Sequence, residues 1–173
     1  MYQSEFLEID LKGLQEGTTT FTYTLDDTYF QTLDSSEVSG GEIHVTVDIK
    51  KAQMFWEMEI HTEGQVTVPC NICMDDMNLP IQADNRLVVK LGEEDNEDDD
   101  IVTVDEEEGI LDLSWYIYEF IVLAIPIRHV HAPGKCNPAM MKVLEEHSTD
   151  RSSDEESTTT VDPRWEKLKN IKF

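Results

Sequence analysis

The sequence predicts an α+β fold, in which a mostly antiparallel β-sheet or a partly open barrel carries one main packed helix. Upstream of residue 92, apolar and polar residues alternate in several segments, which is the period of strands that bury one face. The longest apolar segment, Trp115–Ile127, instead repeats its bulky residues at helical spacing. Strands that follow at short intervals, separated by turn residues, are typical of antiparallel sheets and small barrels.

The N-terminal part predicts two strands and a short helix. Residues 7–11 alternate apolar with acidic side chains, and residues 18–25 alternate threonines with larger apolar residues. β-Branched and aromatic side chains of this kind favour strands. Asp26 and Asp27 are residues that commonly begin a helix, and they predict a short helix near 27–33.

The central part predicts the clearest strands. Residues 43–50 alternate strictly, residues 56–60 repeat the pattern after a turn at 51–53, and residues 66–68 continue it toward Cys70. A further strand ends at Leu91. The one Cys-x-x-Cys of the chain therefore falls at a hairpin tip, where a knuckle-like turn aims two sulfurs at one point.

An acidic loop is predicted at about 93–108, where eleven acidic residues occur without a basic one. Like-charge repulsion favours a solvated loop over a packed element, at least in its first half. The spacing of the acids resembles a calcium loop, but Asp100 occupies the place of the glycine that the sharp turn of such a loop needs. We therefore reject calcium binding.

The main helix is predicted at about 114–125. Ser114 is the expected N-cap, and Pro126 ends the helix because it lacks an N–H group and clashes with the preceding turn. A membrane span needs about 20 apolar residues, whereas this segment has 13 and contains Glu119. A buried core helix is therefore the preferred interpretation, and no membrane association is expected.

The C-terminal part predicts a second helix and two polar segments. Residues 138–147 have the pattern of a short helix, and 1–147 are expected to form a single α+β domain. The polar, low-complexity segment 148–161 predicts a disordered linker. Residues 162–173 form a basic docking tail, whose partner-binding residues are expected to be Arg164, Trp165, Lys167, Leu168 and Lys169. A partner is slightly preferred for this tail over the acidic body of the same chain or RNA.

The charge of the chain is strongly one-sided. Thirty-seven acidic residues against 13 basic ones give a formal net charge of −24. Such a chain is repelled by bare nucleic acid at long range. The N-terminus has neither the basic start nor the apolar core of a signal peptide, so we expect a reducing cytoplasm, with thiols that are free or bound to metal.

Three motifs, in their order, carry a resemblance to a known family. They are Pro69-Cys70-Asn71-Ile72-Cys73, Leu123-Ala124-Ile125-Pro126 and Asp162-Pro163-Arg164-Trp165. The chain resembles the YceD-like family, the large ribosomal RNA subunit accumulation proteins, long described as a domain of unknown function. The resemblance implies a non-catalytic role in large-subunit ribosomal RNA accumulation or ribosome assembly.

The partner and the chemistry follow as expectations. An acidic protein suits a basic ribosomal protein or a pre-ribosomal particle, and direct RNA contact stays open. No glycine-rich phosphate loop or Gly-x-Ser-x-Gly motif is present, so we do not expect an enzyme. The alternatives are an rRNA-processing enzyme and a zinc-stabilised interaction domain unrelated to ribosomes.

The three cysteines and the histidines after the main helix leave two interpretations open. Cys70 and Cys73 lie upstream, whereas His129, His131 and Cys136 follow Pro126. Many family members carry further cysteines in this second region, and His131 stands near the place where one is expected. The resemblance thus points to Cys70, Cys73, His131 and Cys136 as a Zn²⁺ site, while plain reduced cysteines remain the preferred interpretation. A redox role has less support, because no helix N-terminus is expected at the Cys-x-x-Cys.

Overall fold

A computed structural model of the chain describes residues 7–33, 37–92 and 101–148. Most of its strands and helices lie at the predicted segments. The strand that ends at Leu91 begins earlier than predicted, at Asp76, and the short strands at 101–104 and 110–112 were not predicted. In chain order the elements are β1 (Glu8–Asp10), β2 (Thr18–Leu25), α1 (Asp27–Thr32), β3 (Gly40–Lys51), β4 (Trp56–Pro69), β5 (Asp76–Leu91), β6 (Ile101–Val104), β7 (Ile110–Asp112), α2 (Ser114–Ala124) and α3 (Pro138–His147).

The main sheet has five strands in the order β2-β3-β4-β5-β6. The pairs from β2 to β5 are antiparallel, whereas β6 runs parallel to β5, with Val88 opposite Ile101. β1 and β7 form a separate antiparallel pair. The predicted α+β class with a mostly antiparallel sheet is confirmed. Within the described ranges β2 and β6 are the two edges and do not pair with each other, so the sheet is open and is not a closed barrel.

One face of the main sheet supplies the core. The apolar residues of the alternating pattern in β3 are buried, and Val47 and Ile43 have no exposed surface. α2 packs over the same core, where Ile117 and Ile121 are also fully buried. The opposite face, which we call the outer face, carries the polar residues of the same strands, as the period-2 pattern requires.

The start of α2 differs from the prediction. The helix begins at Ser114, and its cap position is Leu113, which makes no side-chain cap hydrogen bond. Instead the Ser114 N–H donates to Oδ1 of Asp112 over 2.8 Å. The expected N-cap role of Ser114 was therefore wrong: the cap is Leu113, which is fully buried in the core, and the helix starts one residue earlier than predicted. The predicted end before Pro126 is confirmed.

α1 begins as the sequence predicts and then contacts α2. The side chain of Asp26 accepts from the N–H groups of Thr28 and Tyr29, which satisfies donors that a helix start leaves free. The Tyr29 hydroxyl donates to the Ser114 carbonyl over 2.6 Å. Burial raises the pKa of this phenol, with a further contribution from Asp112. The short helix is thus fixed to the start of the main one.

The predicted acidic loop is interrupted by a strand. Residues 101–104 form β6, and the acidic residues 105–108 form a turn whose Asp105 carbonyl accepts from the Gly109 N–H. The acids of 93–100 lie outside the described residues. The predicted linker beyond Ser148 and the predicted tail 162–173 lie outside them too, so this division of the chain stays a prediction. No helix in the described ranges is long and apolar enough to cross a membrane.

Candidate metal centre

The Cys-x-x-Cys forms the tip of the β4–β5 hairpin, as predicted. Pro69 pairs with Asp76 at the end of the ladder. Beyond that pair, the Cys70 N–H donates to the Asp75 carbonyl over 2.9 Å, and the Met74 N–H donates to the Cys70 carbonyl over 3.0 Å. Met74 takes the left-handed conformation at φ 63°, which closes the turn. We call residues 69–75 the knuckle.

The two knuckle sulfurs point inward. Cys70 and Cys73 are 0% and 1% exposed, which is unusual for side chains at a hairpin tip. The Ile72 N–H donates to Sγ of Cys70 over 3.4 Å. A buried sulfur that accepts a backbone N–H is well placed to carry negative charge as a thiolate.

The segment that follows α2 returns to the knuckle and pairs with it. The His129 N–H donates to Oδ1 of Asn71 over 2.6 Å, and the Asn71 N–H donates to the His129 carbonyl over 3.0 Å. The His129 ring is turned to its own segment, with Nδ1 2.9 Å from the Pro126 carbonyl oxygen. His129 therefore attaches the segment through its backbone and does not join the sulfurs.

A tight turn then places His131 and Cys136 beside the knuckle. The Lys135 N–H donates to the Ala132 carbonyl over 2.9 Å, and Gly134 has φ 76°. Pro133 and Gly134 are the residues that a type II turn prefers at its two central positions. The turn reverses the chain, so that the residues on either side of it face the same point.

The four side chains meet in what we call the Cys3His cluster. The ligand atoms of Cys70, Cys73, His131 and Cys136 all lie within 4.8 Å of one another. The Cys70 and Cys136 sulfurs are 4.0 Å apart, and Cys73 Sγ lies 3.4 Å from Nδ1 of His131. Metal–sulfur bonds of about 2.3 Å in a tetrahedron separate the ligand atoms by roughly 3.8 Å. The arrangement therefore fits a four-coordinate metal ion.

The environment of the cluster favours a thiolate at Cys70 and a proton on His131. Burial raises the pKa of Cys70, but N–H groups of Cys73, Ile72 and His131, together with the His131 ring, outweigh it and lower the pKa to about 5. The hydrogen bond with Cys70 raises the pKa of His131 despite desolvation, and Cys73 adds to the effect. A thiolate at Cys70 is thus stabilised next to a histidine that readily takes a proton.

The third cysteine behaves in the opposite way. Burial raises the pKa of Cys136 to about 11, and its contacts with Cys70 and Cys73 contribute further. Two thiolates at this distance repel each other, so the third sulfur keeps its proton until a cation offsets the charge. The cluster can therefore hold a metal ion, and loading it displaces a proton from Cys136.

Three polar side chains around the cluster were not predicted from the sequence: Asn71, Asp75 and Asn137. Asn71 lies inside the Cys-x-x-Cys and accepts from His129. Asn137 directly follows Cys136, donates from Nδ2 to Oδ2 of Asp75 over 3.0 Å, and also caps α3. The position of an asparagine next to a candidate ligand was the available signal, but its long-range partner is not visible in the sequence.

The comparison with protein families decides the relationship of the chain. The family model of the large ribosomal RNA subunit accumulation protein YceD matches residues 58–172, which is more than half of the chain. The chain belongs to this YceD family. The resemblance carried by the three motifs is confirmed. No curated protein and no solved structure matches the chain, so its place in the YceD family rests on the match to the family model.

The YceD match spans the functional candidates of the sequence. It begins within β4 and contains the whole Cys3His cluster. It also contains the basic residues Arg164, Lys167 and Lys169, with Trp165 and Leu168, all of which lie outside the described residues. The cluster and the tail therefore both lie within the residues that the family model matches.

Proposed function

We propose that this chain is a non-catalytic factor in large-subunit ribosomal RNA accumulation, which binds a basic ribosomal protein or a pre-ribosomal particle. Membership of the YceD family, whose name describes this accumulation, is the observation that carries the proposal. The net charge of −24 supports it, because a strongly acidic surface attracts basic proteins and repels bare RNA. In this proposal the basic partner binds this protein before it binds the RNA, or while it does so.

The outer face of the main sheet is the surface that we assign to this partner. Register pairs place Asp48 opposite Glu59 and His61 opposite Asp84 on it. Arg86 is paired with Glu57 over 2.8 Å. The other acids of the face, which include Glu42 and Glu63, outnumber Lys50 and Lys90, so its net charge is negative. An acidic sheet face presents several carboxylates side by side, and this suits a cationic partner bound by several weak contacts.

We propose Zn²⁺ as the metal of the Cys3His cluster. Three sulfurs and one imidazole nitrogen are the ligand set that zinc prefers in structural sites. When bound, zinc supplies a cross-link between the knuckle and the segment after α2. With all four positions taken by protein, no position is open for a substrate, which supports a non-catalytic role. We place the protein in the cytoplasm, where reduced thiols stay available to zinc.

Affinity capture tests the ribosomal role. The full-length tagged protein is purified from native lysate at low and at moderate salt, and the co-purifying proteins and RNA are identified. We expect large-subunit ribosomal proteins or precursor rRNA, with recovery that falls as salt rises. Nuclease treatment before capture separates protein-mediated from RNA-mediated recovery. Recovery of neither class would overturn the proposal.

A charge-matched pair of variants locates the surface. Glu59→Gln combined with Glu63→Gln neutralises two exposed acids of the outer face, whereas Glu107→Gln with Glu108→Gln removes the same charge in the turn after β6. We expect the first pair to lower partner recovery several-fold and the second to leave it nearly unchanged. Equal effects would assign the interaction to net charge and not to this face.

Incubation with precursor rRNA tests the absence of catalysis. Purified, zinc-loaded protein should cleave the RNA no faster than a protein-free control at the same divalent metal concentration. Cleavage that disappears in the Cys136→Ser variant would replace the non-catalytic proposal with an rRNA-processing enzyme.

A further inference from the structure

α3 is a capped helix with two different sides. Half-buried Met141 lines the same cavity as His131 and Cys136, whereas another, apolar side is only partly covered within the described ranges. The Asn137 side chain accepts from the Ala139 N–H, and Pro138 occupies the first turn. None of its residues is buried. Met140, Val143 and Leu144 are 36%, 47% and 41% exposed and share one side at i, i+3 and i+4 spacing. We call these three residues the α3 apolar face.

A helix of this length needs packing. α3 has ten residues, whereas isolated helices shorter than about 12–15 residues are marginal in water. Most helical stability in proteins comes from burying an apolar face. A segment outside the described ranges is therefore expected to cover Met140, Val143 and Leu144.

We propose that residues 162–173 of the same chain dock on the α3 apolar face. Trp165, Leu168 and Ile171 follow one another at intervals of three residues, which places them along one side of a helix. The sequence thus predicts an apolar side for this segment, and α3 has an apolar side that is partly exposed. Docked together, each would bury the surface that the other leaves open.

The chain length permits this docking. Thirteen residues, 149–161, separate the end of the described part from the tail, and an extended chain of that length reaches about 43 Å. α3 itself is about 15 Å long, so the tail can return along it in either direction. A short tether keeps the tail at an effective concentration in the millimolar range.

Charge favours the tail of the same chain over a second copy. Arg164, Lys167, Lys169 and Lys172 surround the apolar residues of the tail. Glu145 and Glu146 lie in the last turn of α3, where Glu146 is 3.8 Å from Lys142 and Glu145 has no ion pair among the described residues. Two copies that each carry a net charge of −24 repel one another, whereas the tail is a basic segment already attached. In the free protein the tail is then occupied, and a partner that binds Trp165 must displace it.

Fluorine NMR of the full-length, metal-loaded protein tests the docking. The three tryptophans are labelled with 5-fluorotryptophan, and the Trp165→Phe variant assigns the resonance of Trp165. We expect a broad, shifted resonance like that of buried Trp56. In the Val143→Glu variant this resonance should move to the sharp, random-coil position. Met54→Glu adds the same charge at a hairpin position that is 83% exposed, and should leave it in place.

A second variant and a dilution series make the result decisive. Leu168→Glu, on the tail side, should release Trp165 to the same position while the Trp56 resonance reports an intact core. A random-coil Trp165 in the parent protein, or one that is unchanged by Val143→Glu, would overturn the proposal. A resonance that changes between 10-fold dilutions would assign the contact to a second copy and would overturn it as well.

Discussion

Asn71 and His129 are joined by two hydrogen bonds, one in each direction, although 58 residues separate them in the chain. One bond uses the Asn71 side chain and the other its backbone N–H. The pair holds the segment after α2 against the knuckle, so that His131 and Cys136 reach the sulfurs of the Cys-x-x-Cys. It positions metal ligands without being one.

The first prediction concerns this pair. Asn71→Ala removes the acceptor of the 2.6 Å bond from His129, and groups that orient metal ligands typically change metal affinity by about 10–100-fold. We expect zinc affinity to fall about 10-fold, measured by competition with a chromophoric chelator. Asn78→Ala is the control. It removes an exposed asparagine of β5 that accepts a hydrogen bond from the Thr67 hydroxyl on β4, and it should keep the zinc affinity of the parent.

The second prediction concerns the ligands. Cys136→Ser should abolish retention of zinc through gel filtration in the presence of a chelator, because three ligands bind far more weakly than four. His129→Ala should retain one zinc per chain, since His129 holds its segment through backbone atoms. Zinc content is measured by mass spectrometry of the metal. Retention in Cys136→Ser at the parent level would place the metal elsewhere.

The third prediction concerns metal removal. The hydrophobic core cluster to which β3, β4 and α2 contribute contains none of the four residues of the Cys3His cluster. Chelation should therefore increase amide hydrogen exchange at the knuckle and at 126–148, and leave the central strands protected. Exchange is read by mass spectrometry with and without chelator. Cooperative loss of protection in β3 would show instead that the metal supports the whole fold.

The fourth prediction concerns pH. Zinc competes with protons for its ligands. Cys70, with a pKa of about 5, is already a thiolate at pH 7.5, whereas Cys136, with a pKa of about 11, must lose its proton. We expect the release of at least one proton per zinc and an affinity that falls as pH is lowered. Calorimetric titration in two buffers of different ionisation enthalpy measures this number, and zero release would contradict the charge state assigned to Cys136.

The fifth prediction concerns His61 on the outer face. Its hydrogen bond with Asp84, at 2.6 Å, raises the pKa of His61, and Glu63 contributes less. Because the folded pKa lies above the unfolded one, the stabilisation is present below about pH 6.5 and is lost as pH rises through the folded value.

NMR titration of the His61 ring measures this shift directly. Asp84→Asn should return its pKa toward the ordinary histidine value, and Glu63→Gln should lower it by a smaller amount. A larger effect of Glu63→Gln would reverse the order of the two causes.

The local elements of the fold could be predicted because their causes are local. Strict alternation identified β3 and β4, Asp26 identified the start of α1, and Pro126 fixed the end of α2. The Cys-x-x-Cys could be placed at a hairpin tip because it lies between two alternating segments. Each of these inferences needs residues no more than a few positions apart.

Long-range contacts decided the rest. Leu113 entered the core and displaced the expected Ser114 cap, and residues 101–104 paired in parallel with β5 inside a stretch whose charge predicted a loop. Residue types alone left His129 and His131 as equal candidates, and the resemblance pointed to His131. The two hydrogen bonds between His129 and Asn71 hold the segment so that His131 reaches the sulfurs, while the His129 ring faces the Pro126 carbonyl. Local residue patterns were enough to predict the periods, the turns and the ligand types. Which distant side chains meet depends instead on burial and pairing across the whole chain, and therefore on tertiary packing.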